Sequence, residues 1–189
     1  MLIFWDQRLV FLATPKAGST AVEVALEPLA SLAVQRPHAM KHVNATQFRH
    51  HLQPWLREIA AEDFTTVALM REPVEWLRSW YRFELRDSDA DQLPDFEHFT
   101  RRYLSEPGAV TNGIGTQSAF LGGETPVDRI FRYEDIDAFT AFLDDRLGCE
   151  IVLPRVNVPP AADVTLSPAT EAQLRETLRQ DILLYESLS

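Results

Sequence analysis

The stretch Thr14-Pro15-Lys16-Ala17-Gly18-Ser19-Thr20 follows an apolar run, Leu9 to Ala13, and precedes Val22, Leu26 and Leu29 at helical spacing. A small-residue loop that opens a helix after a buried strand binds anions. Its backbone N–H groups and the helix N-terminus, about half a positive charge, converge on one point. Lys16 adds a full charge there. Gly18 permits close approach of the backbone, and Ser19 and Thr20 suit either phosphate binding or capping of the helix. The nucleoside-triphosphate pattern GxxxxGK[ST] sets lysine immediately before the hydroxyl residue, whereas Lys16 stands upstream of Gly18-Ser19-Thr20. That chemistry also wants an acid at the end of a neighbouring apolar strand to help hold magnesium, yet the apolar run Thr65 to Met70 ends in Arg71. Two cationic strand ends predict a ligand with anionic groups at separated positions and no compulsory metal.

Histidines are the first places to seek a base, because their ordinary pKa lies near neutral pH. His50 and His51 are adjacent, point to different faces of any helix and read as surface residues. His38 and His42 have the i, i+4 spacing that binds metal on a helix, but Pro37 and the lack of a nearby carboxylate pattern weigh against a metal site. His98 sits among acidic residues and reads as an exposed partner. Trp5, Trp55, Trp76 and Trp80, with Tyr81 and Phe83, read as core rather than as a stacking platform.

The elements that must position these groups repeat one theme. Leu2 to Trp5 and Leu9 to Ala13 are apolar runs separated by Asp6-Gln7-Arg8, a turn between two strands or an irregular lead-in to the second. Thr65 to Met70 passes through Arg71-Glu72-Pro73 into a helix rich in Trp and Leu, with Pro73 suited to its first turn. Arg129 to Tyr133 precedes Ile136, Phe139, Phe142, Leu143 and Leu147 at helical spacing, closed by Gly148 as C-cap. Three strand-then-helix units predict an α/β fold with a central parallel sheet flanked by helices. Ser88 to Pro94 reads as an acidic exposed loop and Pro154 to Ser167 as irregular. Pro168 starts a terminal helix with Leu174, Leu178, Ile182 and Tyr185 on one face.

The length of 189 residues fits one domain, 1–189, and a composition 46% hydrophobic and 24% charged supplies one sizeable core. A net charge of -10 gives no general attraction to nucleic acid or anionic membranes, so an anionic ligand needs a local cationic pocket. No apolar run approaches the roughly 18–20 residues of a membrane span. Cys149 is the only cysteine, which excludes an intramolecular disulfide and a thiol metal cluster and predicts the reducing cytoplasm.

The segment FLATPKAGSTAVEVAL resembles the phosphosulfate loop of sulfotransferases, and VALMREPVEWLRSWY resembles their 3′-phosphate motif. RYEDI, TQSAFLGG, LPRVNVPP and DILLYESL are similar to later parts of the branch that includes carbohydrate sulfotransferases and their bacterial relatives. The resemblance implies a P-loop-like three-layer fold and the donor 3′-phosphoadenosine 5′-phosphosulfate, with adenosine 3′,5′-bisphosphate as product and no metal. It implies that the loop Pro15, Lys16, Ala17, Gly18, Ser19 and Thr20 holds the phosphosulfate, that Lys16 stabilises the leaving oxygen, and that Arg71 and Ser79 clamp the 3′-phosphate. Arg155 and Asn157 are implied nucleotide contacts. KHVNATQF resembles the segment bearing the base histidine of uronyl 2-O-sulfotransferases, which makes His42 the candidate base, with Glu23 the second candidate and a helix-capping role for His42 the alternative. Relatives often carry an arginine where this chain has Trp76, and Arg78 is the candidate substitute. The implied acceptor is a hydroxyl of a carbohydrate or small molecule. A nucleotide kinase on a related fold and a non-catalytic nucleotide-binding module are the rival expectations.

Overall fold

Strands β1 (Leu2–Phe4) and β2 (Leu9–Leu12) form an antiparallel pair with Leu2 opposite Phe11, joined by a four-residue turn in which Arg8 takes a left-handed φ of 50°. This is a computed structural model that describes residues 1–87, 94–123, 126–156 and 161–188. The acidic loop read at Ser88 to Pro94 lies outside the described residues except for Pro94, and so does Asn157.

From β2 the chain enters α1 (Ser19–Leu26), a 3₁₀ turn and the two-residue strand β3 (Leu32–Ala33), which pairs antiparallel with the far side of β1. Two short helices follow, α2 (His38–Lys41) and α3 (Ala45–Gln47). A π-turn at Phe48–Leu52 then leads into α4 (Gln53–Ala60). Strand β4 (Thr65–Met70) is parallel to β2 and runs into α5 (Pro73–Asp87). Between it and β5 (Arg129–Arg132), parallel to β4, stand α6 (Phe96–Ser105), α7 (Pro107–Val110) and α8 (Gln117–Phe120). The chain ends in α9 (Ile136–Leu147), α10 (Pro168–Thr177) and α11 (Arg179–Ser187).

The sheet order is β3-β1-β2-β4-β5. The expected parallel core is therefore corrected to a mixed sheet, in which β2, β4 and β5 are parallel and β1 and β3 antiparallel. The reason is connection length, since a four-residue turn allows only an antiparallel return while a parallel neighbour needs a crossover of a dozen residues or more.

Strands β1, β2 and β4 are buried on both faces, which is why they read as continuous apolar runs. Leu9, Phe11, Val67 and Leu69 pack under Val22 and Leu26 of α1 and under Phe139 and Leu143 of α9. Val10, Leu12, Ala68 and Met70 face the other way, toward Ala45, Phe48 and Leu56 of the α3–α4 segment and Phe120 of α8. A third cluster has no strand in it: Trp76, Trp80 and Tyr81 of α5 pack on Phe96, Phe99 and Tyr103 of α6 and on Leu174 and Leu178. Trp76 and Trp80 are core as expected. Trp55 is 52% exposed, because its face of α4 turns away from the sheet.

Gly148, at φ 69°, is the C-cap of α9 as the sequence predicts. The single terminal helix expected from Pro168 breaks instead at Leu178 into α10 and α11, and the second piece brings Asp181 to the N-terminus of α8. Among the described residues no helix is long and apolar enough to cross a membrane.

Candidate functional site

The carboxyl ends of β2, β4 and β5 open onto one cavity of about 740 Å³, the place where open α/β sheets bind their ligands. Its described lining carries Lys16, Lys41, Arg71, Arg82, Arg86 and Arg155, and Glu134 as the one acid among them. A chain of net charge -10 has thus built a local cationic pocket.

The loop after β2 forms the floor. Lys16 and Gly18 both take left-handed backbone, φ 62° and 77°. Gly18 itself is the N-cap of α1, with no side chain closing the first turn, so Ser19 and Thr20 are helical residues rather than the caps the sequence allows. Gly18, Ser19, Thr20 and Ala21 line the cavity with the N-terminus of α1. A Cβ on Gly18 would lie 2.7 Å from Cε2 of Tyr133, so the site needs glycine for space as well as for φ. Two long-range bonds hold the loop: Trp76 Nε1 donates to the Pro15 carbonyl at 2.9 Å and Arg71 Nη1 to the Lys16 carbonyl at 3.4 Å. Pro15 lines the cavity, whereas Ala17 is fully buried beneath it. Lys16 Nζ stands 3.9 Å from the centre of the Phe83 ring and 5.6 Å from that of Trp80.

The second cationic group of the floor stands where β4 ends. The main chain of Arg71 is gripped by the Gln117 carboxamide, which accepts from the Arg71 N–H at 2.9 Å and donates to its carbonyl at 2.8 Å. The Arg71 guanidinium lies 5.0 Å over the Tyr133 ring. Its Nε is buried with no hydrogen-bond partner among the described residues, a donor in want of an acceptor. Glu75 stands 3.9 Å from Arg71, 2.7 Å from Arg78 and 3.6 Å from Arg82. Burial pushes the Glu75 carboxyl up, but the Arg78 hydrogen bond and the charges of Arg78, Arg82 and Arg71 outweigh it and hold the group below its ordinary pKa.

Ser79 lines the cavity from α5, as expected. Neither Trp76 nor Arg78 does: Trp76 is buried on the loop and Arg78 is bound to Glu75. Arg82 and Arg86 occupy the wall instead. Sequence reasoning missed them, although the signal was present, since Ser79, Arg82, Phe83 and Arg86 follow the i, i+3, i+4, i+7 spacing of one helix face. Tyr133 and Glu134, which the sequence marks as a strand-to-helix corner, line the cavity, whereas Gln117 carries no such local signal.

His42 follows α2 and lines the same cavity. Its Nδ1 is 2.6 Å from the Ala13 carbonyl oxygen. A carbonyl only accepts, so Nδ1 carries the proton and Nε2 keeps its lone pair. Burial lowers the imidazole pKa to about 4, against the raising effect of the Ala13 bond and with the help of the nearby His38 and Lys41 charges. The capping alternative is excluded, because Asn44 and Gln47 form the capping box of the next helix. Glu23 is buried, pairs with Lys41 at 2.7 Å and with the Met1 amino group at 3.5 Å, and is absent from the described cavity wall. Arg155 reaches the rim, exposed.

Three capacities meet in this arrangement: an uncapped helix N-terminus with a lysine, a separate arginine with an unused buried donor, and a neutral imidazole between an apolar interior and the cavity. Comparison with known proteins finds no matching family model, no matching curated protein and no matching solved structure.

Two outcomes follow from this geometry. Gly18→Ala adds a left-handed penalty and a clash with Tyr133, and is expected to cost roughly 2–4 kcal/mol in urea unfolding; a loss below about 0.5 kcal/mol would show that the loop rearranges freely. The folded pKa of His42, about 4, lies below its unfolded value near 6.5. The unfolded chain therefore binds the extra proton first. The stability contribution is complete above pH ~6.5 and is lost as pH falls toward ~4. Unfolding midpoints of His42→Gln should accordingly fall less between pH 7 and pH 4 than those of wild type, and parallel curves would contradict the burial of a neutral imidazole.

Proposed function

We propose that the chain is a sulfotransferase, taking a sulfonate from 3′-phosphoadenosine 5′-phosphosulfate to an acceptor hydroxyl on a carbohydrate or small metabolite. One observation carries the proposal: a single cavity joins the α1 N-terminus and Lys16, the separate Arg71–Ser79 pair, and His42 in its neutral form. The unpartnered Nε of Arg71 and the uncapped N-terminus of α1 at Gly18 fit a ligand with anions at both places.

The donor supplies a sulfonate on its 5′-phosphate; the sulfur–oxygen bond to that phosphate breaks as the acceptor oxygen bonds to sulfur, leaving adenosine 3′,5′-bisphosphate. Loop N–H groups and Lys16 neutralise charge growing on the bridging oxygen, where fixed donors act without reorganising. Arg71 and Ser79 hold the 3′-phosphate. His42 Nε2 takes the acceptor proton, while Nδ1, tied to Ala13, fixes the ring and its tautomer. An anionic donor beside the imidazole raises the basicity that burial has lowered. Glu23, engaged by Lys41, serves instead to hold the wall next to His42.

Adenosine 3′,5′-bisphosphate is expected to raise the melting temperature without magnesium, with about 2.7 kcal/mol added at ~100 times its Kd. Arg71→Ala should lose roughly 1.5–3 kcal/mol of that affinity while binding adenosine 5′-phosphosulfate almost normally. Preferential stabilisation by magnesium ATP would favour the kinase alternative and sink the proposal. His42→Ala should bind the bisphosphate like wild type yet lose ~10²–10⁴ in turnover with a working acceptor. Retained turnover in His42→Ala together with its loss in Glu23→Gln would move the base to Glu23, and no turnover with any acceptor hydroxyl, nor donor hydrolysis, would leave a binding module.

A further inference from the structure

Strand pairing ends at Met70 opposite Arg132, so Arg71 and Glu72 leave the sheet without a neighbouring strand to bind their main chain. Buried backbone groups in that position must find partners elsewhere. They find them through two relays that both begin on α11. In the first, Asp181, 1% exposed, accepts from the Gln117 N–H and the Ser118 N–H, each at 2.9 Å, and so sets the start of α8. Gln117, fully buried, then pairs with both main-chain groups of Arg71 as a strand would. In the second, the Tyr185 hydroxyl donates to Glu134 Oε2 at 2.8 Å, and Glu134 Oε1 accepts from the Glu72 N–H at 3.0 Å. Asp181 and Tyr185 are i, i+4 neighbours on one face of α11. Arg132, at the end of β5, anchors that helix by donating to the carbonyls of Tyr185 and Glu186 at 3.1 and 3.3 Å, with its guanidinium 4.8 Å over the Tyr185 ring.

We infer that α11 is the buttress of the strand-end anion site: through Gln117 and Glu134, Asp181 and Tyr185 fix the main chain of Arg71 and Glu72 and thereby set how tightly a phosphate is held by Arg71. These are positioning residues, and Asp181 and Gln117 touch no ligand. Carrying a guanidinium on a backbone held from both sides matters because an aligned charged contact loses much of its strength with a displacement near 1 Å. The inference rests on the assignment of Arg71 to a 3′-phosphate.

The test is calorimetric titration of the wild-type chain, Tyr185→Phe and Gln117→Glu with adenosine 3′,5′-bisphosphate and with adenosine 5′-phosphosulfate. Tyr185→Phe keeps the ring over Arg132 and removes only the hydroxyl; Gln117→Glu keeps the acceptor for the Arg71 N–H but sets a carboxylate oxygen against the Arg71 carbonyl in place of the donor. Each should weaken the bisphosphate about 5- to 10-fold, the worth of one hydrogen bond, and the phosphosulfate by less than about twofold. In an Arg71→Ala background Tyr185→Phe should have no further effect, since the relay acts through that guanidinium. An equal loss in both backgrounds, equal losses for both ligands, or wild-type affinities with only a lower melting temperature would each overturn the buttress. Failure of the wild-type chain to bind the bisphosphate would bring down the nucleotide assignment first, and the inference with it.

Discussion

Like charges gathered around one cavity repel, and two guanidinium groups about 4 Å apart oppose each other by roughly 4 kcal/mol at an effective dielectric of 20. The Glu75 carboxylate, shared by Arg71, Arg78 and Arg82, is the counter-charge that lets the cationic wall assemble before any ligand arrives. Its own position is fixed by the first turn of α5, where its N–H is bonded by Glu72 at 2.7 Å. Because Glu75 stands nearest Arg78 and farthest from Arg71, the arginine at the strand end is the one least committed to it. The Arg71 guanidinium is thus organised but incompletely neutralised.

Helix α5 does two jobs with two faces. One face supplies Ser79, Arg82, Phe83 and Arg86 to the cavity. The other buries Trp76, Leu77 and Tyr81 against α6 and α10, and Trp76 reaches back to hold the Pro15 carbonyl. Fully burying side chains of this size stabilises by roughly 1.5–3 kcal/mol each, so the helical cluster is what keeps the cationic face aimed at the loop. Trp76 is thus a structural tie of the loop.

His42 and Glu23 show how burial separates two candidate bases. The Glu23 carboxylate is buried, paired with Lys41 and away from the described cavity wall. An imidazole with one nitrogen on a backbone carbonyl keeps the other for chemistry. Glu23 is buried and His42 half-buried, and burial holds the imidazole in its neutral form. The distinction is electrostatic, and it was invisible in a sequence where both residues follow the same βα unit.

Local chemistry determined much of the site. Apolar runs that switch to helical spacing mark β2–α1, β4–α5 and β5–α9, the left-handed Gly18 and Gly148 punctuate them, and Arg71 follows from its place at a strand end, while Ser79 entered only through the resemblance. These properties depend on residues within a few positions of each other, where periodicity and φ preference act directly. Arg82 and Arg86 were legible on the same helix face once Ser79 had marked it. The antiparallel β3, the exposure of Trp55, the break at Leu178 and the grip of Gln117 on Arg71 were decided only in three dimensions. Gln117 meets Arg71 across 46 residues and Asp181 across 64, and Tyr185 meets Glu134 across 51. No local pattern encodes such partners, because a buried polar group is indifferent to where in the chain its partner lies and requires only that the packed fold deliver one within hydrogen-bonding distance.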